Sequence, residues 1–189
     1  DQELTSRKVK FLLDTPQQDG GQWDMVVALF EKYGVVPKSV YPESISSSDS
    51  RELNQILNKL LRQDAQILRE LRVEGAESAE LQAKKEELLQ EVFNFLAMNL
   101  GLPPRKFDFS YRDKDNHFHS ESGLTPLTFY QKYVDLKLAD YVSIINAPTA
   151  DKPYGRSYTV EMLGNVVGSK PVRYLNVEMD RLKELAIAQ

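Results

Sequence analysis

Two long amphipathic patterns constrain this chain more than any other feature. Leu53, Ile56, Leu57, Leu60, Leu61, Leu68 and Leu71 recur at the 3.6-residue period and predict a helix over roughly Ser50 to Arg72. The pattern resumes from Leu81 to Leu100 and stops at Gly101 and Pro103-Pro104. Only a turn at Glu74-Gly75-Ala76 separates them, which forces an αα-hairpin with the two apolar faces turned inward. Asp49 and Glu52 form a capping-box pattern at its start.

The flanks read differently. Leu4 to Leu13 predicts a short helix before the Thr15-Pro16 break. Gly20-Gly21 opens a second helix, Gln22 to Tyr33, with Trp23, Val26, Val27 and Phe30 as its apolar set and Gly34 as its stop. Val35 to Tyr41 reads as extended, interrupted by Pro37 and ended by Pro42, and the serine cluster at Ser44 to Ser48 marks a junction. Beyond the hairpin, Phe107, Phe109 and Tyr111 alternate with polar residues as a half-buried strand does. Asp113 to Asn116 is a turn and His117 to Ser120 the return strand. Thr125-Pro126 is an N-cap followed by proline at the first helical position, for a helix to Tyr133. Tyr141 to Ile145, Tyr158 to Met162 and Val172 to Val177 are candidate strands, the last leading into a helical pattern still running at Gln189. The missing initial Met and that unfinished helix suggest that both ends are cut.

Composition excludes more than it selects. The formal charge of −4 supplies no basic field, which argues against nucleic acid or anionic membrane as partner. Apolar runs such as Val26 to Phe30 fall far short of the roughly 20 residues a membrane-spanning helix requires. No basic and apolar leader precedes Leu4. The 189 residues contain no cysteine, so they hold no disulfide, no thiolate metal site and no cysteine nucleophile. That fits the cytosol without requiring it.

The remaining chemistry is sparse. No G-x-S-x-G elbow, G-x-G-x-x-G turn or G-K-[ST] loop occurs. Glu86, Glu87 and Glu91 read as a solvated helix face. His117 and His119, two apart on a strand and close to Asp113 and Asp115, read either as a metal or acid/base site or as an exposed polar hairpin. Gly20-Gly21 reads either as an ordinary turn or as a backbone edge, free of Cβ, that hydrogen-bonds an extended peptide. No complete catalytic set is present, and no metal or cofactor is expected.

The order of elements is more specific than any one of them. Asp19-Gly20-Gly21-Gln22-Trp23-Asp24-Met25, then Glu31 to Pro37, then Tyr41-Pro42-Glu43, resembles the aminopeptidase C and bleomycin hydrolase family of papain-like cysteine peptidases. Leu124 to Tyr130, Asn146 to Thr149 and Leu163 to Gly168 resemble the aminopeptidase C branch, so the resemblance covers essentially the whole chain. It implies an α+β papain-like fragment, mainly helical, with a large insertion and a few short antiparallel strands. Residues 1–45 would belong to the helical left domain, 46–170 to a family-specific insertion and 171–189 to the start of the right, β domain.

The same resemblance implies a cytoplasmic, commonly homohexameric thiol aminopeptidase that removes N-terminal residues from peptides by Cys-His-Asn chemistry, an upstream Gln stabilising the oxyanion. None of those four residues falls within this chain. Gly20 and Gly21 match the glycines whose backbone binds substrate. Asp19 stands where papain-type enzymes have Asn, and Gln22 and Trp23 would shape the adjoining pocket. The rival readings are a non-catalytic helical binding or assembly module, motivated by the two long helices, and an inactive homologue.

Overall fold

A computed structural model describes residues 3, 6–18, 20–134 and 136–188. Leu4, with which the first expected helix begins, and Asp19 lie outside the described residues. The chain divides into two compact units, one of residues 1–20 and 41–103, the other of 21–40 and 104–189.

The first unit is helical. Helix α1 (Arg7–Asp14) starts at Ser6, whose hydroxyl accepts from the Lys8 N–H at 3.3 Å. The strand-like segment after α1 is pinned by Asn58, which accepts from the Gln17 N–H at 2.9 Å and donates to the Gln17 carbonyl at 2.9 Å. The hairpin forms as the periodicity requires, from α4 (Arg51–Val73) and α5 (Ser78–Leu100), with Leu53, Leu57 and Leu88 buried. Its turn is a Schellman motif: Ala76 N–H donates to the Leu71 carbonyl at 2.9 Å and Gly75 N–H to Arg72 at 3.2 Å. Gly75 takes φ +99° to make it, and the buried Ala76 closes it. The serine cluster is itself a helical turn, α3 (Ile45–Ser48), capped by the Ser44 hydroxyl.

The expected capping box before α4 does not form. Asp49 is taken instead by the Arg51 guanidinium, at 2.9 and 2.6 Å, and Ser50 occupies the cap position without its side chain capping the helix N–H groups. The ion pair two residues apart has outcompeted the cap.

One polar side chain sits where the helix period calls for an apolar one. Asp64 on α4 is only 8% exposed, and burial, with the Glu91 carboxylate adding to it, holds its pKa above the ordinary 3.8. A raised carboxyl pKa favours the neutral form in the fold. Its contribution is therefore fully present below pH 3.8 and is lost as pH rises through the folded value. Asp64→Asn should be more stable than the wild type at pH 7, with the difference narrowing toward pH 4 in paired urea titrations. Equal stability of the two chains at pH 7 would show that Asp64 is adequately solvated.

The second unit is mixed. Helix α2 (Trp23–Tyr33) buries Val27 and Ala28, whereas Trp23 and Val26, expected on its apolar face, are each 39% exposed. The buried stripe is rotated away from them. Strands β1 (Phe107–Arg112) and β2 (Phe118–Leu124) pair antiparallel, with a bulge between Phe107 and Phe109. Helix α6 (Pro126–Phe129) is capped by Thr125, as proline at its first position predicts, and runs on as a π-helical turn, Tyr130–Val134. Phe107, Leu124 and Phe129 form the core here, with Val35, Val36, Phe109 and Tyr133 packed around them. Tyr133 also donates to the Glu121 carboxylate at 2.8 Å. The Lys132 ammonium on the same oxygen, with that hydroxyl, holds the Glu121 carboxyl below its usual range.

A second sheet has the order β3-β5-β4, from β3 (Ser143–Ile145), β4 (Ser157–Tyr158) and β5 (Tyr174–Asn176). β5 runs parallel to β3 and antiparallel to β4. The strand expected over Tyr158 to Met162 stops at once: the Thr159 hydroxyl donates to the Val172 carbonyl at 2.6 Å, and Met162 turns left-handed at φ +60°. Val35 to Tyr41 joins no ladder and instead turns at Lys38–Val40. Helix α7 (Met179–Ile187) follows β5 as the final pattern predicts.

Candidate functional site

The glycine pair feeds directly into α2. Gln22, extended at φ −105° and ψ 159°, is its N-cap, and its carbonyl accepts from the N–H groups of Met25 at 3.0 Å and Val26 at 3.3 Å. Its own N–H donates to the Met25 Sδ at 3.4 Å. Neither Gly20 nor Gly21 adopts positive φ, so the left-handed freedom of glycine is not what this position uses. What it uses is space. A Cβ on Gly20 would meet no heavy atom within 4 Å, and one on Gly21 only Met25 Sδ at 3.8 Å. Both glycines are exposed, as a backbone edge that pairs with an incoming strand has to be.

One turn further along, α2 forms the wall of a cleft of about 630 Å³. Asp24, Val27 and Lys32 face it from the helix; Tyr141, Val166 and Arg173 face it from the opposite side. Long-range bonds hold the two sides together. The Asp24 carboxylate accepts from the Arg173 N–H at 2.9 Å, and the Lys32 ammonium donates to the Val167 carbonyl at 3.1 Å. Trp23 leans on Tyr141, ring centroids 5.5 Å apart and tilted by 54°. The exposed Trp23 is thus half of an aromatic pair next to the glycines.

Of the expected binding residues, the structure brings Gly20, Gly21, Gln22 and Trp23 into one stretch, and Asp19 lies outside the described residues. Tyr141 and the segment around Val166 to Arg173 stood out from sequence only as strand and resemblance positions, not as binding residues. Their pairing with α2 is set by contacts across more than a hundred residues, for which no local pattern exists.

The histidines are arranged differently from the expectation. His117 precedes β2 rather than lying in it, and the ladder ends at Arg112 with Phe118. Asn116, at φ +64°, turns the chain so that donor atoms of Asp113, Asp115 and His117 all lie within 4.8 Å of one another. His119 Nε2 lies 2.8 Å from Asp113 Oδ2. That imidazole, and the His117 N–H on the other oxygen, hold the Asp113 carboxyl below its usual range.

The comparisons bear on the whole of this arrangement. The Peptidase C1-like family model matches residues 1–189. Aminopeptidase C of Streptococcus thermophilus is 78% identical over 189 residues, all of this chain and 42% of that protein. Aminopeptidase C of Lactococcus lactis subsp. lactis is 66% identical over the same span, again 42% of its length. Bleomycin hydrolase of Gallus gallus is 40% identical over 97% of this chain and 41% of that protein. The crystal structure of PepW from Lactobacillus rhamnosis HN001 superposes with a TM-score of 0.94 at 61% identity, covering all of this chain and 42% of that one. The chain thus spans well under half the length of the relatives it matches, and over that span it belongs to the Peptidase C1-like family of the aminopeptidase C and bleomycin hydrolase type.

Proposed function

We propose that this chain is the substrate-presenting part of a cytoplasmic cysteine aminopeptidase, whose thiolate, imidazole and asparagine are supplied by regions beyond these 189 residues. The observation that carries this reading is the 78% identity, over every residue, to an aminopeptidase C. In this role the open backbone at Gly20 and Gly21 receives an extended peptide, Trp23 and Gln22 border the adjoining pocket, and Asp19 completes the run. By the same reading, residues 1–45 belong to the left domain of a papain-like fold, 46–170 to an insertion and 171–189 to the start of the right domain.

Exposed apolar side chains on the hairpin, among them Ile56, Leu89, Phe93 and Met98, support a second role for α4 and α5 in homo-oligomer assembly, a hexamer by family resemblance. No helix among the described residues is long and apolar enough to cross a membrane. Peptide is the expected substrate, and the peptidase reaction calls for no metal or cofactor.

The test uses the complete reading frame beside the 189-residue chain. The complete protein should release N-terminal residues from peptides and lose that activity to a thiol alkylating reagent, while the chain alone should be inert. Within the complete protein, Gly20→Val should leave stability unchanged, since its Cβ has free space. It should lower kcat/KM by about tenfold or more, through loss of a backbone hydrogen bond to substrate. A Gly20→Val enzyme with unchanged kcat/KM would remove the glycines from the substrate site, and a complete protein insensitive to alkylation would remove the thiol mechanism.

A further inference from the structure

The peptidase reading makes no use of the polar cluster at the tip of the β1–β2 hairpin. Its donor set is mixed: the carboxylates of Asp113 and Asp115 and the imidazole of His117 lie within 4.8 Å of one another, and the His119 ring meets Asp113 beside them. Asp113 is the centre. Its Oδ1 is fixed by the N–H groups of Asp115 and His117, both at 2.9 Å, which leaves Oδ2 facing the two rings. From that oxygen, His119 Nε2 stands at 2.8 Å and His117 Nδ1 at 3.5 Å.

The His117 to Asp113 separation suits a small tetrahedral ion. Zinc bonds of about 2.0–2.1 Å to nitrogen and about 2.0–2.2 Å to oxygen place neighbouring ligands about 3.3 Å apart. His117 Nδ1 and Asp113 Oδ2, 3.5 Å apart, are close to that value, and Asp115 lies within 4.8 Å of both, so side-chain shifts would admit the ion. His119 is also braced, its ring stacked on Tyr111 with centroids 4.9 Å apart and an 18° angle between planes. Hydrogen bonds from backbone to the ligating carboxylate are the kind of outer support that metal sites use. Imidazole donors select zinc and its neighbours over calcium and magnesium, which take oxygen.

We propose that this hairpin tip is a zinc-binding site, with Asp113, Asp115 and His117 as ligands and His119 as the hydrogen-bond partner that holds the Asp113 carboxylate. Binding ties the turn between β1 and β2 from both sides, since Asp113 follows one strand and His117 precedes the other.

The test is calorimetric titration of zinc chloride into the 189-residue chain in a non-chelating buffer, with magnesium chloride as control. One zinc per chain is expected, with no saturable heat from magnesium. His117→Ala should weaken zinc by about tenfold or more and His119→Ala by less, with far-ultraviolet circular dichroism unchanged because both side chains are exposed. Nitrogen-resolved NMR of the imidazoles should place the largest zinc-induced shift on His117, with a smaller one on His119. Absence of saturable binding, zinc affinity in His117→Ala within twofold of the wild type, or unmoved imidazole resonances would each overturn the assignment.

Discussion

Gly34→Ala should prevent the second unit from folding. Gly34 ends α2 at φ +75° and ψ −161°, a region of conformational space that is essentially closed to residues with a Cβ. Conformational strain alone costs about 1–3 kcal/mol there. The greater penalty is steric. An ideal Cβ would lie 2.2 Å from the Pro126 carbonyl carbon and oxygen and 2.3 Å from the Leu127 nitrogen. All three are backbone atoms, so no side-chain rotation can relieve the overlap. Nor can the backbone back away freely, because the Val35 N–H donates to the same Pro126 carbonyl at 3.1 Å. Val35 and Phe129, on either side of this contact, belong to one hydrophobic cluster. We expect a loss of at least about 4 kcal/mol, a large share of the total stability of a domain. The check is urea denaturation followed by near-ultraviolet circular dichroism, which reports the aromatic cluster. A variant within about 1 kcal/mol of the wild type would mean that the α2 exit and the start of α6 separate easily.

That contact illustrates what the sequence disclosed and what it did not. Gly34 was legible as a helix stop, because glycine after a periodic run is a local signal. That it must be glycine because Pro126 presses against it was not legible, since the partner lies some ninety residues away. The same division runs through the molecule. The α4–α5 hairpin and the β1–β2 hairpin are each written in periodicity and turn residues, which act over a few positions. Where a local rule met a stronger local competitor, it misled: the capping box at Asp49 and Glu52 lost to the Arg51 guanidinium. Where tertiary packing chose which helix face to bury, periodicity gave the helix but not its rotation, as Trp23 and Val26 show. The candidate site divides likewise. Gly20 to Trp23 are contiguous and stood out, by resemblance more than by chemistry. The opposite wall, Tyr141 and Val166 to Arg173, is assembled by the Asp24 bond to Arg173, which no motif announces.

Asn176→Ala should be the most damaging polar substitution in the second unit. Asn176 is fully buried, and each of its side-chain polar atoms is engaged. Oδ1 accepts from the Ala147 N–H at 2.9 Å, while Nδ2 donates to the carbonyls of Ala147 at 3.1 Å and Lys152 at 2.7 Å. Its backbone N–H donates to Arg156, and its carbonyl accepts from Gly155. The side chain therefore holds residues 147–152 of the link from β3 to β4 against β5, and the backbone holds Gly155 and Arg156. Truncation would strand one donor and two acceptors, at about 1–3 kcal/mol for each group that stays dry, so a loss of about 3 kcal/mol or more is expected. Asn176→Asp separates hydrogen bonding from packing, because it keeps the shape. Its carboxylate would still accept from Ala147 but would turn an oxygen toward two carbonyls, which favours the protonated form and raises its pKa in the fold. A raised carboxyl pKa gives stability at low pH that is lost as pH rises through the folded value. The Asp variant should thus be strongly destabilised at pH 7 and recover toward the wild type on acidification, while the Ala variant should not recover. If Asn176→Ala costs under about 0.5 kcal/mol, or the Asp variant matches the wild type at pH 7, the link is held by its backbone alone.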